Sequence, residues 1–267
     1  MSRFDDLLRE YIDEISDNGF DSANVGQMMN ALRQAANESF ISDAELQKRM
    51  RIALELYFKR SLTKTRMNKV NPGVSRFTID RLAPSLRTEL ERRILANADM
   101  IKLNREQAID KTLQRFAGWA SSVPKGGSRA INKSEVKADI GKTARQLKYE
   151  VRRREIDQGH KLMASIDAVV AQQGQAIAMQ WNSHWMRKGY DFRPDHKERD
   201  GKIYAIRGSW AVDAGLINKG AGYTDEMTAV AEEINCTCFA TYLFSLRDLP
   251  ESMLTQKGRD ELKRVSE

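Results

Sequence analysis

"KSEVKADIGKTARQLKYEVRRREIDQGHKLMASIDAVVAQQGQAIAMQW", residues 133–181, holds no proline and is built almost wholly of residues that favour a helix. Unbroken, it would reach roughly 70 Å at about 1.5 Å per residue. Gly141, Gly159 and Gly174 are the places where it can bend or end, and at least one break is expected. The segment therefore reads as a long central helix, and the rest of the chain divides around it.

Upstream, short amphipathic helices alternate with turn signals. "SRFDDLLREYIDEI" places Phe4, Leu7, Leu8, Tyr11, Ile12 and Ile15 on one helical face, and Asp17, Asn18 and Gly19 stop it. A second helix is expected from Ser22 or Asn24 to Asn37. A third begins at the capping box "SDAE", with Ser42 as the cap and Glu45 three residues on. "MNKVNPGV" interrupts the pattern around Asn71 and Pro72. Two more helices fit residues 78–97 and 104–121, with Pro84 early enough in the first to be tolerated or to split it. "SSVPKGGSRAINKSE", with Pro124, Gly126 and Gly127, reads as a linker.

Downstream the character changes. Glycine recurs at 189, 201, 208, 215, 220 and 222, aromatics cluster from Trp181 to Trp210, and β-like runs appear in "KIYAI" and "CTCFATYLF". The fold class expected is mainly α: a helical N-terminal region (1–122), a linker (123–132), the long basic helix (133–181), a small α+β module (182–249) and a C-terminal helix or tail (250–267).

Bulk properties narrow the function classes. The chain has 267 residues, 41% hydrophobic and 30% charged, enough to bury a sizeable core. No apolar run approaches the roughly 20 residues that cross a bilayer, so no membrane partner is expected. The acidic, amphipathic amino terminus is unlike a secretory signal. Two cysteines one residue apart make no disulfide framework, which points to a reducing compartment. The formal net charge of +7 suits a polyanionic neighbour, nucleic acid first. Between residues 125 and 154 the basic side chains, Lys142, Arg145, Lys148, Arg152, Arg153 and Arg154 among them, face only Glu135, Asp139 and Glu150. That run reads either as a solvated helix face or as a DNA-binding surface. The first helix is acidic, so head-to-tail packing of copies is also open.

Chemistry-bearing residues are few: three histidines and two cysteines. If "INCTCFATYL" is a strand, Cys236 and Cys238 point to one face with Cα atoms about 6.6 Å apart, a strained reach for a mutual disulfide. A shared ion is easier to build, with His196 as a third ligand and Asp200, Asp195 or His184 as a fourth. Three readings stay open: ordinary core packing, a zinc-type site at His196, Cys236 and Cys238, and a catalytic thiol. A metal-dependent nuclease or toxin-like enzyme using His196 and Asp200 is a rival, although no second histidine follows downstream to complete such a motif. Glycine-rich phosphate loops and a GxSxG elbow are absent from the sequence.

The order Arg193, His196, Asp200, Gly201 in "RPDHKERDGKIY", then Asn235, Cys236 and Cys238 in "INCTC", at the end of a long helix, resembles the carboxy-terminal module of the Mu F-like minor head (head morphogenesis) proteins of tailed bacteriophages. The resemblance covers residues 145–245. Two departures stand out: "MTAVAEEINCTC" looks like a helix running into the cysteines, and Thr237 stands where the family has a basic residue. The resemblance implies a low-copy, non-enzymatic virion protein in the head interior or at the portal vertex, assembled in the host cytoplasm, with the portal or major capsid protein and packaged DNA as partners and no cofactor required. A head–tail connector or head completion protein is a variant of that role.

Overall fold

The computed structural model describes residues 3–265; of residues 143–151 it describes the helical backbone and not the side chains. The chain is mainly α, with ten helices and one three-stranded antiparallel sheet near the carboxyl end among the described residues. The helices are α1 (Arg3–Asn18), α2 (Ser22–Glu38), α3 (Asp43–Ser61), α4 (Lys64–Val70), α5 (Arg76–Ser122), α6 (Lys133–Ile140), α7 (Lys142–Gln173), α8 (Pro194–Glu198), α9 (Trp210–Asp213) and α10 (Gln256–Arg264). The strands are β1 (Ala178–Asn182), β2 (Ile203–Ala205) and β3 (Phe239–Leu243). None of these helices is long and apolar enough to cross a membrane.

The long basic helix expected over 133–181 is two helices, and it stops short. Gly141 caps α6, and the Gly174 amide closes α7 on the Val170 carbonyl at 2.9 Å. Gly159 does not interrupt: a Cβ there would lie 2.5 Å from the Tyr57 ring, so the glycine lets α3 and α7 approach closely. Residues 178–181, assigned to the helix by composition, belong instead to the central strand. The helices expected at 78–97 and 104–121 are the single 47-residue α5, which keeps Pro84 inside. Nothing between Asn97 and Asn104 breaks a helix, and Ala98 and Ile101 are buried, so the periodicity runs through.

Two compact units result, and each is discontinuous in sequence: residues 1–50 with 95–153, and residues 51–94 with 154–267. The expected N-terminal region 1–122 is therefore not one body, because α3 and α5 each contribute to both units. In the first unit Phe4, Leu8, Ile12 and Ile15 of α1 pack against α2 and the second half of α5, around Leu32, Leu113 and Phe116. The acidic end of α1 finds a basic partner within the chain: Lys133 Nζ lies 3.2 Å from Asp13 and 3.1 Å from Asp17.

The expected linker at 123–132 belongs to this first unit and is tied down. Gly126 N–H donates to the Asn18 carbonyl at 3.2 Å and Ser128 N–H to the Ser16 carbonyl at 2.8 Å. Gly127 has φ +76°, and a Cβ on it would fall 2.3 Å from the Ser16 carbonyl oxygen. Gly127→Ala should therefore destabilise the protein by at least about 2 kcal/mol, combining left-handed strain with a backbone clash. Urea unfolding of the two proteins measures it.

In the second unit the strand order is β2-β1-β3, both pairs antiparallel, with Met179 opposite Tyr204 and Tyr242, and Trp181 opposite Ala240. Alternation splits the sheet into two faces. Ala178, Ala205 and Leu243 pack on Leu216, Ile217, Leu246 and Met253. Met179, Trp181, Tyr204 and Ala240 share the other face with Cys236 and Cys238. The C-terminal segment is a docked helix and no frayed tail: the Thr255 hydroxyl caps α10 at Gly258 N–H, 3.1 Å, while Thr255 N–H bonds the Leu216 carbonyl at 3.0 Å.

Candidate functional site

Around Trp181 the second sheet face gathers residues from three separate segments. Pro194 starts α8 at its first turn, where a missing N–H costs nothing, and α8 presents His196 inward at 2% exposure. The approach to β3 brings Cys236 and Cys238 to the same place, 1% and 3% exposed. His196 Nδ1 lies 3.6 Å from Cys236 Sγ and 3.6 Å from Cys238 Sγ. Trp181, fully buried, meets the imidazole edge-on with ring centroids 5.2 Å apart. Both cysteines are free thiols.

Cys236 and Cys238 are not in the strand, which begins at Phe239, and the expected helix "MTAVAEEI" is a sequence of turns. The turn is forced: Ala231 and Asn235 have φ of +61° and +60°, a region L-residues avoid, and asparagine is among the few that tolerate it.

Every motif residue has a mechanical task in this knot. Arg193 pairs its Nε with Glu233 and donates from its second guanidinium nitrogen to the Ile234 carbonyl at 3.1 Å, clamping the segment that leads to Cys236. Asp200 spends both oxygens on the segment after β1, accepting Ser183 N–H at 2.7 Å and the Trp185 indole N–H at 3.0 Å. Gly201, at φ +74°, makes the turn that returns the chain to β2. The Asn235 N–H donates to Asp157 Oδ1 of α7 at 2.6 Å.

His196, Cys236 and Cys238 thus come together, whereas the other fourth-ligand candidates do not join them: Asp200 is engaged as above, and His184 Nδ1 is 2.7 Å from the Thr237 carbonyl. Asp195 approaches the opposite imidazole nitrogen, 3.9 Å from Nε2, and Glu233 comes nearer at 3.6 Å. Among the described residues, His196, Cys236 and Cys238 offer ligand atoms all within 4.8 Å, as do Asp195, His196 and Glu233. The thiols are electrostatically unequal. The Cys236 side chain beside it lowers the Cys238 thiol, assisted by Ser183 and His196 against the cost of burial, while that same pairing and burial push Cys236 up.

Sequence reasoning did not single out Glu233, Ser183, Asp157 or Trp181 as members of the cluster. Glu233 lay two residues before the motif asparagine, and Trp181 in an aromatic-rich stretch. Nothing local marks Asp157, an acid inside a basic helix. Replacing Asp157 by alanine is expected to cost about 1.5–3 kcal/mol, the range for a hydrogen bond to a charged acceptor. Amide hydrogen exchange at Asn235 should quicken in that variant, which identifies the loop as the place of loss.

A cavity of about 1010 Å³ opens elsewhere on the same sheet face, between α7 and the 224–232 segment, floored by Met179, Ala240 and Tyr242. None of the seven motif residues lines it. Along α7, Lys142, Arg152 and Arg153 are exposed and Arg154 is half-buried; the side chains of Arg145 and Lys148 lie outside the described residues. No family model, curated protein or solved structure matches this chain.

Proposed function

We propose that this chain is a non-enzymatic minor head protein of a tailed bacteriophage, portal-proximal or head-interior, acting in head morphogenesis and in DNA packaging or ejection. The observation that supports the reading best is the use made of the motif. Arg193, Asp200, Gly201 and Asn235 serve backbone positioning, and His196, Cys236 and Cys238 are almost without solvent contact. A general base must reach its substrate proton. An imidazole 2% exposed, outside the neighbouring cavity, suits architecture better than the rival nuclease, for which His196 and Asp200 would have to face a scissile phosphate.

In this reading the helices contact the portal or capsid, and the exposed basic side chains of α7 contact packaged DNA through its phosphates, without reading sequence. Mass spectrometry of purified procapsids and virions tests the placement: the chain is expected in the particle, and its absence from both defeats the proposal. Copy number per particle separates a low-copy minor head protein from a ring-forming connector. Arg152→Ala, Arg153→Ala and Arg154→Ala combined are expected to weaken DNA binding uniformly across sequences. The slope of log affinity against log salt should flatten by about 3 if each arginine neutralises one phosphate. Titration of labelled duplexes at several salt concentrations measures both.

A further inference from the structure

We propose that His196, Cys236 and Cys238 bind a single zinc-type divalent ion, and that this ion is a structural staple joining α8 to the entrance of β3. The inference stands apart from the head-protein reading, and either can fail without the other.

Geometry carries it first. In a tetrahedral zinc site with Zn–S near 2.3 Å and Zn–N near 2.0–2.1 Å, the sulfur-to-nitrogen edge is about 3.6 Å. His196 Nδ1 stands at that separation from both sulfurs at once, 3.6 Å and 3.6 Å, and the three donors converge on one point from segments 40 residues apart in sequence. Core packing of thiols against a ring requires no such equality of edges.

The donor chemistry agrees. Two thiolates and a neutral imidazole are the soft-to-borderline set that selects zinc over magnesium or calcium, whose ligands are oxygens. Bound as thiolates, the two sulfurs balance the dication and leave no net charge in a pocket where all three side chains are at most 3% exposed. An uncompensated charge there would be expensive.

A supporting shell is already in place. With Nδ1 on the ion, His196 must carry its proton on Nε2, a buried nitrogen that has no hydrogen-bond partner. Glu233 Oε1 lies 3.6 Å from it, and the Arg193 ion pair fixes that carboxylate from its other oxygen. A small closure of that gap yields the carboxylate–histidine–metal relay that orients ligating imidazoles. Ser183 Oγ, 3.7 Å from Cys238 Sγ, is hydrogen-bonded to that sulfur and helps to hold its direction. The loop that delivers Cys236 contains two positive-φ non-glycine residues and no regular structure from Met227 to Cys238, so its conformation needs an anchor from outside its own backbone.

The test uses the full chain purified under reducing conditions. Elemental analysis is expected to find one zinc per chain. Exchange for cobalt(II) should give the intense visible bands of a tetrahedral site and a thiolate charge-transfer band. His196→Ala, Cys236→Ser and Cys238→Ser should each abolish those bands. Because a ligand variant can simply fail to fold, Glu233→Gln supplies an independent reading: it leaves all three ligands intact and should weaken zinc binding about 10- to 100-fold, the usual effect of losing such a supporting group. Folded wild-type protein without stoichiometric zinc and without cobalt bands overturns the proposal, as does a Cys236–Cys238 disulfide or metal binding indifferent to all four substitutions.

Discussion

Arg66→Ala is expected to destabilise the protein by up to about 3 kcal/mol at pH 8, where the buried Asp167 carboxyl must either ionise unpaired or take up a proton at about 1.4 kcal/mol per pH unit above its value of about 6, and by far less at pH 4. Arg66 of α4 forms an ion pair with Asp167 of α7, whose side chain is 2% exposed, and Asn71 donates to the Asp167 backbone carbonyl at 3.1 Å. Burial outweighs the guanidinium, so the Asp167 carboxyl is raised from 3.8 to about 6. A group that holds its proton more tightly folded than unfolded contributes stability fully below its unfolded value and loses it as pH rises through the folded one. Across the window from 3.8 to about 6, the Asp167 contribution therefore declines by about 3 kcal/mol as pH rises.

Removing Arg66 raises the carboxyl further and confines the penalty to pH values at which Asp167 must ionise. Adding Asp167→Asn to Arg66→Ala should recover most of the loss at pH 8, because the orphaned charge is gone. Urea unfolding of wild type, single and double variants at pH 4, 6 and 8 measures the set. A penalty that stays constant with pH would show that some other contact of Arg66 is responsible.

Trp181→Ala comes second, with an expected cost of about 3–5 kcal/mol. Trp181 is fully buried on the central strand, opposite Ala240 on β3. One side of its ring meets His196, and the Arg199 guanidinium lies 5.1 Å from the ring centroid. Deleting the indole leaves a void beside the candidate ligands, in the cluster that Trp181 shares with Met179, Tyr204 and Ala240. Trp181→Phe tells packing from polarity. The indole N–H is buried without a partner, so phenylalanine removes an unsatisfied donor while keeping most of the ring, and its cost should stay below about 1.5 kcal/mol. Equal losses for alanine and phenylalanine would contradict a packing role. Thermal unfolding, followed by the near-ultraviolet signal of the remaining aromatics, distinguishes the outcomes.

Much of the helical architecture was legible because its causes are local. The spacing of Phe4, Leu8, Ile12 and Ile15 defines the buried face of α1, and Gly19 ends the turn after it. Ser42 accepts the Glu45 N–H at 3.3 Å, as the capping signature anticipates. Errors arose where a local signal had two meanings. Gly159 ranked equally with Gly141 and Gly174 as a place for a break, because composition cannot distinguish a glycine that ends a helix from one that admits the Tyr57 ring. The proline- and glycine-rich stretch at 123–132 read as a linker, yet its turns are held by carbonyls at the end of α1. Residues 178–181 read as helix because alanine, methionine and glutamine favour one; pairing with β2 and β3 overrode that preference.

At the candidate site the motif residues could be named from the sequence, but not their tasks. Whether Asp200 was a ligand or a brace depended on which backbone amide came within reach, and Ser183 lies 17 residues away. Glu233 and Asp157 carry no pattern of their own and matter only through the partners that folding delivers, the Arg193–His196 pair and the Asn235 amide.

By itself, then, the amino-acid order determined the mainly helical class, the apolar stripes, the caps and the existence of a glycine- and aromatic-rich terminal module, since each follows from interactions between residues a few positions apart. Only the tertiary structure decided that α3 and α5 are divided between two bodies and that His196 meets Cys236 and Cys238 at equal distances. Those facts rest on contacts between residues dozens of positions apart, whose pairing is selected by the burial of whole faces at once.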